Sequence, residues 1–333
     1  TAKLRIISLL IADLSAKALL MGALALGICQ ALGFKMGGRS SSAVGLGALA
    51  ATLGPSYLFY TGSTGNLVPF GIVASVGVQV PTWTQYLAHI FIPQLIYVFL
   101  TVLVIDLFFK PDEEIQSKAF FKSELVSFGK MSKAEKMIAV ISIILIALIA
   151  TSSWHGISIG WLFVFAAVIM MLPGINLVKQ EDVKQINYTF ILFVVACLTI
   201  GIVSVSMGVG QFIANAFLNI INGSLIQTIT GVWGLGFLIN FALTPLAAYS
   251  AFTAPIVSIA QGFSINPLPV IYTFIHALEQ VVFPYEYAPV LIIFGYGMIS
   301  MGRFAKYNII RAIISLACIL AIFIPYWKLI GLV

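Results

Sequence analysis

Charge is scarce in this chain. Asp, Glu, Lys and Arg make up 8% of its 333 residues, where soluble domains run near a quarter, and so few charges cannot clothe a water-exposed surface. A soluble enzyme or binding module is thereby excluded. Cysteine is sparser still: Cys29, Cys197 and Cys318 each sit inside an apolar run, as small buried hydrophobes do, with neither metal-ligand spacing nor a disulfide framework. The sequence also lacks His-Glu-x-x-His, Gly-x-Ser-x-Gly and paired aspartates in facing apolar segments, which leaves an intramembrane enzyme without its chemistry. A net charge of +6 does not mark a nucleic-acid partner, because the basic residues are spread over short loops rather than one face.

What the chain does have is length of apolar sequence. Apolar residues are 61% of the total and the mean hydropathy is +1.09, so the expected class is an all-α polytopic membrane protein. Candidate segments cover residues 4–32, 43–77, 82–108, 134–152, 156–174, 188–208, 224–262, 266–298 and 310–331. Those at 4–32, 43–77 and 224–262 exceed the roughly 20 residues that one span needs. Each is also interrupted by polar or Gly/Pro residues, and 266–298 is broken by Pro284, Tyr285 and Glu286. Such segments read as re-entrant hairpins or broken transmembrane helices, which survive at membrane depth only where protein encloses the unwound backbone. The chain opens on "TAKLRIISLL", an apolar segment already under way, and the expectation is that further spans precede it.

The basic residues orient the spans. Lys35 and Arg39, the lysines of 110–136, Lys179 and Lys184, and Arg303, Lys306 and Arg311 fall in four connecting regions. Alternate crossings put all four on one side together with Lys3 and Arg5, leaving only Lys17 and Lys328 elsewhere. The positive-inside rule makes that side cytoplasmic and the C-terminus external. The stretch 109–132, with acids such as Asp112 and Glu124 among its lysines, reads as a solvated cytoplasmic linker. An internal repeat accompanies this topology: "NLVPFGIVASVGV" at Asn66 resembles "VLIIFGYGMISMG" at Val290, pairing Phe70 with Phe294 and Gly71 with Gly295. Each copy follows a long interrupted segment and precedes one long span. Two such halves of opposite topology, residues 1–108 and 133–333, are the two inverted-topology repeats of a secondary transporter. The second would hold spans within 134–208, a hairpin at 224–262, a broken helix at 266–298 and a last span at 310–331.

The quoted elements resemble the divalent anion:sodium symporter family, the dicarboxylate, citrate and sulfate carriers of the ion transporter superfamily. "YTGSTGNLVPFGIVAS" resembles the family's first broken-helix loop. "SKAEKMIAVISI", "MLPGINLVKQEDVKQINYTFILFVVACLTIG", "FLINFALTPLAAYSAFTAPI" and "FPYEYAPVLIIFGYG" follow the family's order of elements. The resemblance implies an anion held between hairpin tips and broken loops, with sodium beside each tip. It also implies a homodimer in the bilayer, in a bacterial inner membrane, with no cofactor beyond the coupling ion, sodium or a proton. The family's Ser-Asn-Thr tips are altered here, to Ala12-Asp13-Leu14 and Leu243-Thr244-Pro245.

Gly62-Ser63-Thr64-Gly65-Asn66 keeps the polar character of a binding loop. Two glycines free the backbone, liberated N–H groups attract carboxylate oxygens, and liberated carbonyls attract a hard cation. Ser63, Thr64, Asn66, Thr244, Pro245, Glu286 and Tyr287 are therefore candidate substrate contacts. Gly62, Ser63, Asp13, Ser250 and Glu286 are candidate coupling-ion positions. A glycine-lined packing seam is the alternative for the loop, and a capped proline kink for Thr244. Asp13, Lys17, Glu279 and Glu286 are ionisable groups at membrane depth, each costing roughly 2.5–3.5 kcal/mol on insertion scales unless paired. Asp13 and Lys17, spaced i,i+4, either neutralise one another or serve a coupling ion. His276 and Glu279 share a helix face and suit a packing hydrogen bond. Glu286 would repel a dianion unless protonated, so it either carries a coupling proton or marks a substrate other than a dicarboxylate.

Overall fold

The computed structural model describes residues 13–111, 131–184 and 223–333, with isolated positions between 188 and 208. The span expected at 188–208, Cys197, most of the 109–132 linker, and Lys3, Arg5 and Ala12 lie outside the described residues or nearly so. The described chain is helical and contains no strand among those residues. Two compact units are present, one of Thr1–Pro81, Gln85–Asp112 and Phe193–Val333, the other of Thr82–Thr84 and Glu113–Leu192.

The smaller unit holds α5 (Lys133–Ala150) and α6 (Ile159–Met171), packed on one another. Ser132 and Glu135 close a reciprocal capping box at the start of α5, satisfying two donors that a helix N-terminus leaves open. Large apolar side chains such as Ile143, Trp161 and Phe165 face outward from both helices, as a lipid-facing surface requires. The span expected at 156–174 is thus realised as a 13-residue helix.

The larger unit contains α1 (Leu14–Ala31), α2 (Arg39–Leu53), α3 (Thr64–Ser75) and α4 (Trp83–Phe108). It continues with α7 (Leu225–Ile239), α8 (Pro245–Gly262), α9 (Pro267–Leu278), α10 (Ala288–Gly295) and α11 (Met301–Cys318). The last of these runs on through a π-turn at Ile319–Phe323 into α12 (Ile324–Leu329), in whose first turn Pro325 withholds its N–H. At about 1.5 Å per residue, the 26-residue α4 and the run Met301–Leu329 are long enough to cross a bilayer. The 15 residues of α2, 12 of α3, 12 of α9 and 8 of α10 are not.

The short helices are arranged reciprocally. After α1 come α2, an unwound break, α3 and the long α4; after α8 come α9, a second break, α10 and the long final helix. Partners are exchanged between the two series: α3 packs on α8, and α10 packs on α1. The buried apolar residues fall into two clusters, one built largely on α3, α7, α8 and α9, the other on α1, α2 and α10. Each break joins a helix of one cluster to a helix of the other. Close approach substitutes for hydrophobic drive, which lipid does not supply: a Cβ on Gly236 of α7 would stand 2.9 Å from the Cβ of Ala277 on α9.

Two hydrogen bonds fix the ends of the unit. Arg303 donates to the Gly37 carbonyl at 2.9 Å, holding the turn after α1 against the turn before α11. At the other end Asn266 donates to the Leu332 carbonyl at 3.0 Å. One expectation is overturned: Arg303, Lys306 and Arg311 all lie in α11 rather than in a connecting region, and Arg311 is buried there, with 4% of its surface exposed.

Candidate functional site

The first break begins where Gly54-Pro55 follows α2. Two single 3-10 turns, Gly54–Tyr57 and Tyr60–Gly62, lead to Ser63, which is fully extended (φ −156°, ψ 147°) and caps α3 by accepting from the Gly65 amide at 3.0 Å. Unwinding strands carbonyls that helix geometry would have used, and buried polar backbone must find partners. Side chains supply them. Asn66 donates to the Ser56 and Phe59 carbonyls at 3.1 and 3.0 Å, Tyr86 to that of Tyr57 at 2.9 Å, and Gln94 to that of Gly54 at 3.2 Å. Lys17 reaches in from α1, its ammonium 2.6 Å from the Gly62 carbonyl and 3.0 Å from the Ser56 hydroxyl. Gly62 itself is required by proximity, since a Cβ there would stand 2.5 Å from the Ser56 carbonyl oxygen.

The second break has the same plan. Phe283 and Tyr287 are extended, as Phe59 and Ser63 are, and they flank a 3-10 turn, Pro284–Glu286, in the register that pairs Phe70 with Phe294. The end of α9 leaves its last carbonyls unused by helix bonds, and side chains from α7, α8, α11 and the break itself take several. Tyr249 donates to Ile275 at 3.4 Å, Gln280 to His276 at 2.8 Å, Asn240 to Leu278 at 2.7 Å, and Arg311 to Glu279. Arg311 also donates to the Gln280 side-chain oxygen at 3.2 Å, which Tyr97 approaches at 3.0 Å.

The breaks meet through tyrosines. The Tyr249 hydroxyl donates to the Glu279 carboxylate at 3.3 Å, and Tyr57 of the first break lines the same small cavity as Glu279. Tyr287 also meets Ser63 across the junction, and a Cβ on Gly65 would touch both Tyr57 and Tyr249. One Glu279 oxygen, Oε2, is buried without a hydrogen-bond partner. Beside it is a cavity of about 20 Å³ lined by Tyr57, Gln94, Tyr97, His276, Glu279, Gln280 and Arg311 among others, room for one water-sized occupant. A second small cavity shares Tyr57, Gln94 and His276 and reaches Tyr272. Tyr272 hydrogen-bonds His89 at 2.9 Å, and His89 lines a wider pocket of about 310 Å³ with Gln79, Gln85, Asn266 and Leu332.

The residues expected from sequence separate into groups. Gly62, Ser63 and Tyr287 lie at the junction, with Thr64 half-buried on the first turn of α3. Asn66 is engaged by its own loop. Glu286 is buried and bonded at both oxygens, accepting from the Val282 and Phe283 amides at 3.0 and 2.8 Å. Thr244 is an exposed N-cap and Pro245 the first residue of α8, while Ser250 bonds back to the Leu246 carbonyl at 2.9 Å. Asp13 caps α1 through the Ser15 amide at 2.7 Å and also acts electrostatically on Lys17, whose ammonium is bonded at the break. His276 bonds Ser315, at 2.8 Å. Tyr57, Asn240 and the buried role of Arg311 escape a sequence reading. The available signal was an amide, four residues before Thr244, and an arginine inside an apolar run.

A family model described as the sodium:sulfate symporter transmembrane region matches residues 40–333, and the chain belongs to that family. A comparison with curated proteins gives no match.

Proposed function

We propose that this family member is a cation-coupled secondary carrier of a small anion, a di- or tricarboxylate or a sulfate-like oxyanion, working by alternating access. The observation that carries the reading is the cavity lined together by Gly54 and Tyr57 of the first break and by Glu279 and Gln280 at the second. Two unwound joints from distant parts of the chain face one another inside protein, where broken helices expose backbone to a solute. Helices α3 and α10 both begin at this junction, so their positive ends favour an anion there. Ser63, Thr64 and Tyr287 are the substrate contacts in this reading. Asn66 and Glu286 hold the shapes of the two loops.

The reciprocal packing of α3 on α8 and α10 on α1 supports two inverted halves that rock about the junction. The pocket beside His89, Asn266 and Leu332 is the vestibule at the end away from Arg303, hence the outer face if the basic turns are cytoplasmic. Buried Glu279 with its unpartnered oxygen favours a second reading, in which a proton is the coupling ion. Counterflow in proteoliposomes tests the carrier. Exchange of radiolabelled sulfate or succinate against the same unlabelled anion is expected. No exchange of either, with sodium or with an acid-inside gradient, removes the proposal.

A further inference from the structure

We propose that the Lys17 ammonium takes the place of a coupling cation at the first break, so that this carrier binds one sodium ion fewer than the same site would bind without it. The inference rests on the carrier reading and concerns its ion.

Carbonyls released at a broken helix are the usual ligands of a coupling cation. Here the released Gly62 carbonyl receives the lysine Nζ at 2.6 Å. The second contact points the same way. The Ser56 hydroxyl gives its hydrogen to the Thr52 carbonyl at 2.7 Å and presents a lone pair to Nζ at 3.0 Å. An ammonium and a sodium ion carry equal charge and seek the same oxygen lone pairs, and one location cannot hold both. Lys17 is 1% exposed, a costly place for a charge unless oxygens replace its water. The missing Cβ of Gly62 is what lets the loop fold onto Ser56 and brings the two oxygens together.

Placement on α1 makes the substitution specific to this half. Lys17 lies four residues past the N-cap Asp13, whereas the residue four past the N-cap Thr244 of α8 is Ala248. The basic donor at the second break, Arg311, comes from α11. A tethered cation neutralises the break in every conformation and leaves with no substrate. Coupling through the first break is therefore lost, and the charge moved per cycle falls by one.

Binding of radiolabelled sodium to the purified full-length protein, with choline as the replacement ion and no anion added, reads this directly. At saturation Lys17→Ala is expected to bind one sodium per chain more than wild type, and sodium should raise its melting temperature more than that of wild type. Equal binding in the two proteins overturns the proposal, and Lys17→Gln serves should the alanine variant not fold. In the wild-type background Ser56→Ala should leave bound sodium unchanged; loss of an ion would put sodium at Ser56 and also overturn it. Absence of sulfate and succinate counterflow would sink the carrier reading, while the sodium count stands or falls separately.

Discussion

The Tyr249 hydroxyl, on the second turn of α8, lies 3.3 Å from the carboxylate of Glu279, the residue that ends α9. Helices α8 and α9 are thereby tied at the junction through the Tyr249 hydroxyl, which also lies 3.4 Å from the Ile275 carbonyl. Hydrogen bonds between membrane helices average about 0.6 kcal/mol and reach about 1.7. A thermal-unfolding cycle of Tyr249→Phe, Glu279→Gln and the double variant should return a coupling energy in that range. A value of zero would mean that the pair does not interact in the membrane.

The two buried glutamates should behave differently in transport. Glu286 spends both oxygens on the Val282 and Phe283 amides, so Glu286→Gln exchanges one acceptor for a donor. The resulting mismatch costs about 1–3 kcal/mol and appears as a lower melting temperature, with the pH dependence of uptake unchanged. Glu279 keeps one unpartnered oxygen beside a cavity, so Glu279→Gln should flatten that pH dependence if a proton is the coupling ion. Uptake across a pH series in both variants separates the loop-holding carboxylate from the titrating one.

Gly62→Ala tests the close approach at the first break. Its Cβ would meet the Ser56 carbonyl oxygen at 2.5 Å, and backbone cannot yield as a flexible side-chain tip would. The loop must open, taking the Gly62 carbonyl away from Lys17, and uptake should fall at least tenfold. Gly47→Ala is the matched control. It lies in α2 with nothing near its Cβ and should be neutral or stabilising by about 0.5–1 kcal/mol, since alanine loses less entropy in a helix.

The breaks were legible in the sequence because their cause is local. Pro55 and Pro284 withhold donors, and Gly62 permits a tight approach, so chain interruption follows from residue type, although the first break opens at Gly54, ahead of the Gly62–Asn66 loop expected, and Thr64–Asn66 are already helical. The partners of the freed carbonyls were not legible. Tyr86, Gln94, Asn240 and Arg311 lie far along the chain from the groups they satisfy, and only packing brings them there. Arg311 is instructive: within eight residues of Arg303 and Lys306, it reads as a third loop charge. It lies farther along α11, and its guanidinium reaches the Glu279 carbonyl at the end of α9. Glu286 shows the opposite limit: an acid in a binding loop suggests ligand chemistry, while the amides that bond its two oxygens, Val282 and Phe283, belong to its own loop.

Arg311 should be the least replaceable of these partners. It donates to the Glu279 carbonyl and the Gln280 side chain from a buried position. Arg311→Leu leaves both without that donor and Glu279 without its nearest cation, a loss of the size seen when one member of a buried pair is removed, about 3–5 kcal/mol. Arg311→Lys retains charge but not the fork that serves two acceptors at once. Melting temperatures should fall in the order wild type, lysine, leucine, and equal values for the two variants would show that charge alone matters.

The orientation can be tested against contacts that the fold itself imposes. Arg303 bonded to Gly37 requires the turn after α1 and the turn before α11 to share one face. Asn266 bonded to Leu332, beside the pocket that includes Gln79, groups three further points at the other end. Sidedness is therefore a single binary choice for all five. The excess of basic residues around Lys35, Arg39, Arg303 and Lys306 puts the first face in the cytoplasm. Single cysteines at the exposed positions Lys35, Lys306, Gln79 and Val333, in a chain whose native cysteines are replaced by serine or alanine, should divide accordingly. An impermeant maleimide added to intact cells is expected to label positions 79 and 333 and to spare 35 and 306. Labelling of 35 and 306 alone would invert the assignment. Labelling that splits 35 from 306 would contradict the fold, because no orientation separates two turns that hold one another by a hydrogen bond.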